Sequence, residues 1–177
     1  MAAGPGSLIM IADSHCTQPA LALPGAEWLS VPDGNASARA LYARHYSYRR
    51  RRDGVTPLLF VGPGWKLILL HATGKALLVW RKFRSMDAQE GVNCAVFRNE
   101  GAGRSSNLLR SGMALAWERW PGERLYTYVN ARKVASPNPG YCFKCAGWRT
   151  WGITKGGLLV LEAYPTSLRR TGEPSVC

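Results

Sequence analysis

Between residues 98 and 106 the chain reads Arg98-Asn99-Glu100-Gly101-Ala102-Gly103-Arg104-Ser105-Ser106, a composition suited to holding phosphate. Glycines let the main chain approach a ligand closely, and the free N–H groups at a helix start attract anions. Arg98 can bind donor phosphates or polarise a carbonyl, and it can equally pair with Glu100 or Glu118. Ser105 and Ser106 can ligate phosphate or simply cap a helix. Arg-x-x-Gly-x-Gly is a weak signal alone, because glycine-rich turns before helices are common. A second cluster, Arg49-Arg50-Arg51-Arg52, directly follows Tyr46 and Tyr48. Four adjacent cations neutralise several nucleic-acid phosphates and make binding salt-dependent, although a charge run also serves as plain solvated surface. Cys142-x-x-Cys145 has the spacing of a zinc or redox pair, but no second Cys or His pair of similar spacing accompanies it. Site-lining or buried thiols are therefore the expectation, with no metal.

The elements that position these groups fit one domain: the chain has 177 residues, 46% of them hydrophobic. Lys and Arg number 23 against 11 Asp and Glu, a net charge of +12 that points to a polyanionic partner. No apolar stretch approaches the ~20 residues needed to cross a bilayer. The segment from Met1 to Ala22 lacks a leading positive charge, so it fails the pattern of a secretory signal and a cytoplasmic location is expected. Five cysteines at irregular spacing then read as mostly reduced thiols.

Residues 1–33, rich in Pro, Gly and Ala, read as an irregular lead-in with a short strand at Glu27 to Val31. Asn35 or Ser37 can cap a helix reaching about Ser47. Strand-like runs follow at Leu58–Val61, Lys66–Ala72, Ala76–Phe83 and Val92–Phe97. Leu109, Met113, Ala116, Trp117 and Trp120 then fall on one helical face, which Pro121-Gly122 ends. Leu125–Val129 is strand-like again, Asn138–Ala146 a short helix with Pro139 in its first turn, and Trp148–Thr154 and Leu158–Glu162 two strands joined at Lys155-Gly156-Gly157. The strand–helix–strand unit from Val92 to Val129 predicts parallel strands, and the flanking hairpins predict a mixed sheet. The class is α/β or α+β, with about six to seven strands flanked by helices.

This order, with Arg98-x-x-Gly101-x-Gly103 before a helix and Asn138, Phe143 and Gly147-Trp148 later, resembles the GNAT superfamily. Four blocks sharpen the resemblance to the Mom family of Mu-like phages: His45-Tyr46-Ser47, Asn93 to Gly101, Leu125 to Val129, and Asn138 to Arg149. It spans about Leu41 to Glu162. The resemblance implies a GNAT-like catalytic domain at 34–164, a tail at 165–177, and a phage- or prophage-encoded enzyme of the host cytoplasm. It further implies modification of adenine N6 in double-stranded DNA to a carbamoylmethyl group, protecting the DNA from restriction. Acyl-CoA (acetyl-CoA) is the superfamily's default donor, cradled by Arg98, Asn99, Glu100, Gly101, Gly103, Ser105 and Ser106. An aminoacyl-tRNA such as glycyl-tRNA is the alternative, since a glycyl group on N6 can rearrange to carbamoylmethyl. Where the family is expected to carry an acid after the fifth strand, this chain has Asn130.

Adenine N6 is a poor nucleophile, so the reaction needs a proton acceptor, an oxyanion-stabilising group and exact placement. Tyr141 is the first candidate for proton transfer, against a role as a core tyrosine bonded to backbone. His45 is a candidate base, against a surface histidine at a helix end. Tyr46, Ser47, Arg98, Asn130 and Asn138 complete the candidate catalytic set. Arg49 to Arg52, Arg104 and Lys133 are candidate DNA contacts, and Trp65, Tyr46 and Tyr48 can stack on an extruded base or fill the core. Two other functions fit part of this pattern. One is an acetyl-CoA-dependent N-acetyltransferase of a protein or small amine; the other is a non-catalytic DNA-binding protein. The oligomeric state is open, a dimer included.

Overall fold

The computed structural model describes residues 27–49, 57–85, 88–134 and 136–165. Seven strands form one sheet in the order β1-β2-β3-β4-β5-β7-β6, with helices on both faces. The strands are β1 (Trp28–Ser30), β2 (Trp65–His71), β3 (Ala76–Lys82), β4 (Val92–Asn99), β5 (Leu125–Val129), β6 (Arg149–Ile153) and β7 (Leu159–Ala163). Only β4 and β5 are parallel; every other neighbouring pair is antiparallel. The mixed α+β sheet is thus the one expected, and β1 places its beginning inside the stretch read as lead-in. Among the described residues no helix is long and apolar enough to cross a membrane.

Strand alternation divides the core in two. On one face, Leu69, Leu78, Trp80 and Cys94 pack under α2 (Ser105–Arg119) and α3 (Tyr141–Cys145). On the other, Ile68, Leu77, Val79 and Val96 pack under Ala38 and Leu41 of α1 (Ala36–Ala43). Asn35 caps α1 by accepting from the Ala38 N–H. Trp148, after the α3 turn at Gly147, stacks on Trp80 and donates to Met113 Sδ, which fastens α3 to α2 and the sheet.

Four expectations about elements need correction. Leu58–Val61 is not a strand: the Asp33 carboxylate takes the N–H groups of Phe60 and Val61 and also holds Lys66 Nζ at 2.7 Å, so no neighbouring strand is needed. The first helix ends at Ala43 rather than Ser47, because His45 Nδ1 accepts the Ser47 N–H and turns the chain. Neither Ser105 nor Ser106 caps α2; Arg104 is the cap residue and its side chain makes no capping hydrogen bond. The third helix begins at Tyr141, not Asn138, because Gly140 adopts a left-handed φ of 77° and Pro139 stays in the preceding turn. Of the predicted apolar face, Leu109, Met113, Ala116 and Trp120 are buried, while Trp117 is half-buried with its indole N–H on Glu123 O.

At Gly112 the helix α2 lies so close to the sheet that a Cβ would sit 2.1 Å from Leu78 Cδ2. Overpacking of this kind costs about 1–3 kcal/mol, against a helix-propensity gain of roughly 1 kcal/mol. Gly112→Ala is therefore expected to lower the urea midpoint, and adding Leu78→Val to recover part of the loss; an unchanged midpoint would mean that α2 has slack against the sheet.

Candidate functional site

The β4–β5 ladder is short. Val92, Asn93 and Cys94 pair with Leu125, Tyr126 and Thr127, and there the ladder stops, although β4 runs on to Asn99 and β5 to Val129. Val79 pairs with Val96 and Trp80 with Cys94, so Ala95 is the extra residue of a bulge in β4. A bulge bends its strand and leaves a residue out of the ladder, and here it lies at the row where the two strands part. The Thr127 hydroxyl donates to Cys94 O at 2.9 Å, tying the last paired row.

A cavity of about 430 Å³ opens at the gap, walled by Arg98 and Asn99 from β4, Val129 from β5, Ser105 from α2 and Phe143 from α3. A second, of about 240 Å³, adjoins it and is lined by Ser47, Arg49, Asn130 and Leu158. His45, Tyr46, Ala95, Tyr128 and Lys133 line both. The first alone reaches Cys94 and Phe97 on the α2/α3 face, while Ala95 on the α1 face borders both. A group carried through the gap passes between these walls.

In the glycine loop, Asn99 is the organiser. Its Oδ1 accepts from the N–H groups of Gly101 and Ala102, and its Nδ2 donates to Gly103 O and Ser105 Oγ. Gly101, at φ 89°, is free to adopt this turn as few other residues are. Two of the loop's N–H groups are thus already engaged, and the uncapped start of α2 around Ser105 is the more available anion site. Ser105 lines the cavity; Ser106 is buried beneath it.

Glu100 forms a clamp between two guanidinium groups. Arg44 meets it through Nε and Nη2 at 2.8 and 2.7 Å, and Arg98 through Nε and Nη2 at 2.8 and 2.7 Å. The hydrogen bonds from Arg44 and then Arg98 hold its carboxyl down to about 2. The pairing of Arg98 with Glu100, weighed above, is the one observed. It joins the end of β4 to the end of α1, the segment that carries His45 and Tyr46.

His45 is buried rather than at the surface. Its Nδ1 accepts the Ser47 N–H at 3.3 Å and lies 2.7 Å from Ser47 Oγ, so Nδ1 carries the lone pair and Nε2 the proton. Burial first, and the Arg98 charge second, push the imidazole down to about 4. It is neutral at neutral pH and can offer Nε2–H to a developing oxyanion. The adjacent Tyr46 ring tilts against it at 4.3 Å, and its hydroxyl donates to Tyr128 O at 3.4 Å beside the Asn130 N–H. Burial raises this phenol, keeping it protonated and able to donate. The Cys94 and Cys142 thiols at the cavity wall are likewise raised by burial, which makes them poor nucleophiles at neutral pH.

The other sequence candidates are scattered. Tyr141 is 59% exposed, outside both cavity walls, with its hydroxyl bonded to the Cys145 thiol; it is not a core tyrosine. Asn138 is exposed and accepts from Lys144 Nζ, serving the turn into α3. Asn130 borders the second cavity, but its Oδ1 accepts the Arg132 N–H, and a carboxamide cannot take up a proton as a carboxylate would. Arg104 is exposed at the α2 start, Trp65 is 69% exposed on β2, and Tyr48 packs edge-on against Tyr42. Arg49 and Lys133 do reach the second cavity; Arg50, Arg51 and Arg52 lie outside the described residues. Among the described residues no group of three or more His, Cys, Asp or Glu side chains converges as a metal site.

Sequence reasoning missed Arg44 and Tyr128. No motif marks Arg44, whose role arises from Glu100 lying 56 positions away. Tyr128 stood in a strand run without any signal that its strand would lose its neighbour. No protein-family model, curated protein or solved structure gives a match to this chain.

The depressed imidazole sets a pH dependence. An unfolded histidine at 6.5 binds a proton that the folded His45, near 4, refuses, so folding stability falls as pH drops through that window. Glu100 adds a further loss below its usual 4.5, completed near 2. His45→Gln is expected to flatten the urea midpoint between pH 6.5 and 4 while keeping the steeper fall below; an unchanged slope would mean that His45 titrates normally.

Proposed function

We propose that this chain is a GNAT-type group transferase that modifies adenine N6 in double-stranded DNA, as in the Mom family, giving a carbamoylmethyl product that shields phage DNA from restriction. The observation that carries this reading is the parting of β4 and β5 into two adjoining cavities. One is bounded by Asn99 and Ser105, on either side of the glycine loop at the uncapped helix start, which suit a donor. The other is bounded by aromatic rings and by Arg49 and Lys133, which suit an extruded base and its phosphates. In this reading N6 attacks the donor carbonyl at the gap and His45 Nε2–H stabilises the oxyanion; as the bond from the carbonyl carbon to the departing oxygen breaks, the Tyr46 hydroxyl protonates that oxygen and takes up the N6 proton in exchange. Tyr141, exposed beside Arg104, is placed for contact with donor or DNA rather than for proton transfer at the gap.

The Glu100 clamp bears on the donor. With Arg98 and Arg44 already satisfied by a carboxylate, a CoA pyrophosphate on Arg98 must displace it. This favours an aminoacyl ester, glycyl-tRNA, over acyl-CoA; an N6-glycyl group is isomeric with carbamoylmethyl, so the rearrangement needs no further reactant. Millimolar CoA is expected to leave the melting temperature unchanged, and an upward shift of several degrees would restore acyl-CoA as the donor.

The experiment that tests the function is mass spectrometry of nucleosides from plasmid DNA of cells expressing the chain, beside Tyr46→Phe and Arg98→Ala. A heavier deoxyadenosine is expected, reduced at least tenfold in Tyr46→Phe. Unmodified deoxyadenosine from well-folded protein would overturn the reading and turn attention to protein or small-amine acceptors.

A further inference from the structure

The edge strand β6 carries a second bulge. Thr150 pairs with Leu161 and Gly152 with Val160, so Trp151 is the extra residue, and its ring is 56% exposed. Among the described residues, an indole of that exposure on an edge strand leaves a large apolar surface in water. The ring is not isolated. Arg124 Cζ lies 5.5 Å from its centre and 5.2 Å from that of Tyr126. Glu162, buried beneath, receives Arg124 Nε at 2.6 Å and Arg149 Nε at 2.9 Å, which fixes both guanidinium groups on the same face. Arg149 in turn lies over the Tyr164 ring at 5.7 Å.

Strand register places this patch relative to the site. Tyr128, which lines both cavities, pairs with Val160, and Val160 pairs with Gly152, the residue after Trp151. The indole therefore stands two strands over from Tyr128, about 10 Å across the sheet. It stands on the α1 face, to which the second cavity opens. Ten ångströms is within the reach of one or two nucleotides of a single strand.

We propose that Trp151 is a stacking platform for a nucleobase of the bound DNA strand, one or two positions from the base that enters the second cavity. The proposal rests on the DNA-modification reading. An aromatic ring beside guanidinium groups suits a nucleobase, because every base offers a π-face, and the exposed Arg149 is the cation that meets its phosphates while the mostly buried Arg124 backs the ring. The bulge serves this arrangement by turning the ring out of the strand's alternation. A polynucleotide is favoured over an apolar protein partner by the exposed Arg149 guanidinium and by the chain's net charge of +12.

The test uses the full chain and a fluorescently labelled, adenine-containing DNA, both duplex and single-stranded, titrated over a series of salt concentrations. Trp151→Ala is expected to weaken binding about 5- to 100-fold at every salt concentration, and Trp151→Phe to recover most of it. The slope of log affinity against log salt should stay that of the wild type, since stacking releases no counterions. Arg49→Ala should instead make that slope shallower. Melting temperatures within a few degrees of wild type show that each variant is folded. Binding by Trp151→Ala within twofold of wild type would overturn the platform and leave the DNA reading standing. A loss of self-association on sedimentation, with DNA affinity intact, would also overturn it and assign the edge to a second copy of the chain. Wild-type protein that binds neither DNA at low salt would overturn the DNA reading itself, and the platform with it.

Discussion

The hydrogen-bonded ladder between β4 and β5 lasts for three rows and then fails, and the site exists because it fails. Parallel strands separated by one helix are ordinarily paired along their length, since an unpaired buried main-chain group costs more than a kilocalorie. The bulge at Ala95 removes that option by bending β4 away one residue beyond the last pair. Thr127 closes the final row onto Cys94 O, so the divergence begins at a defined point rather than fraying. Most of what walls the two cavities is delivered to this gap by the far ends of both strands, the start of α2, the Phe143 face of α3 and the turn after α1, with Lys133 and Leu158 added from the loops beyond β5 and before β7.

Charge is organised around the same opening. An excess of cations spread evenly would raise affinity for any polyanion, whereas here the guanidinium groups differ in their availability. Glu100 occupies Arg44 and Arg98 at the first cavity, Arg49 borders the second, and Lys133 borders both. The clamp also does mechanical work, because it joins the end of α1 to the end of β4 and thereby sets His45 and Tyr46 against the gap. His45 remains neutral beside these cations, since its burial and the nearby Arg98 charge both oppose protonation.

Much of the scaffold was legible before any coordinates. The helical face of Leu109, Met113 and Ala116 and the strand runs at Lys66, Ala76, Val92 and Leu125 follow from periodicity, and the parallel β4–β5 pair follows from the helix between them. The failures share a cause. Leu58–Val61 has a strand's composition, but Asp33, some 27 positions earlier, supplies its hydrogen bonds. Ser105 and Ser106 looked like caps, yet Asn99 organises the loop before them. Asp33 takes the N–H groups that local propensity gave to a neighbouring strand, and Asn99 takes the Ser105 hydroxyl that local propensity gave to the helix start.

The division of labour is clear at the level of single residues. Sequence alone determined most of the strands and helices, though not Leu58–Val61, and also that the chain is strongly basic and that a glycine loop precedes an amphipathic helix, because these depend on residues within a few positions of each other. Tertiary structure decided which of the candidates meet. It brought His45, Tyr46, Arg98, Asn99 and Ser105 to one opening, left Tyr141 and Asn138 outside it, and added Arg44 and Tyr128. The reason is physical: where a side chain ends up relative to the gap depends on strand register, on one bulge residue and on an ion pair spanning 56 positions, and none of these is written in local composition.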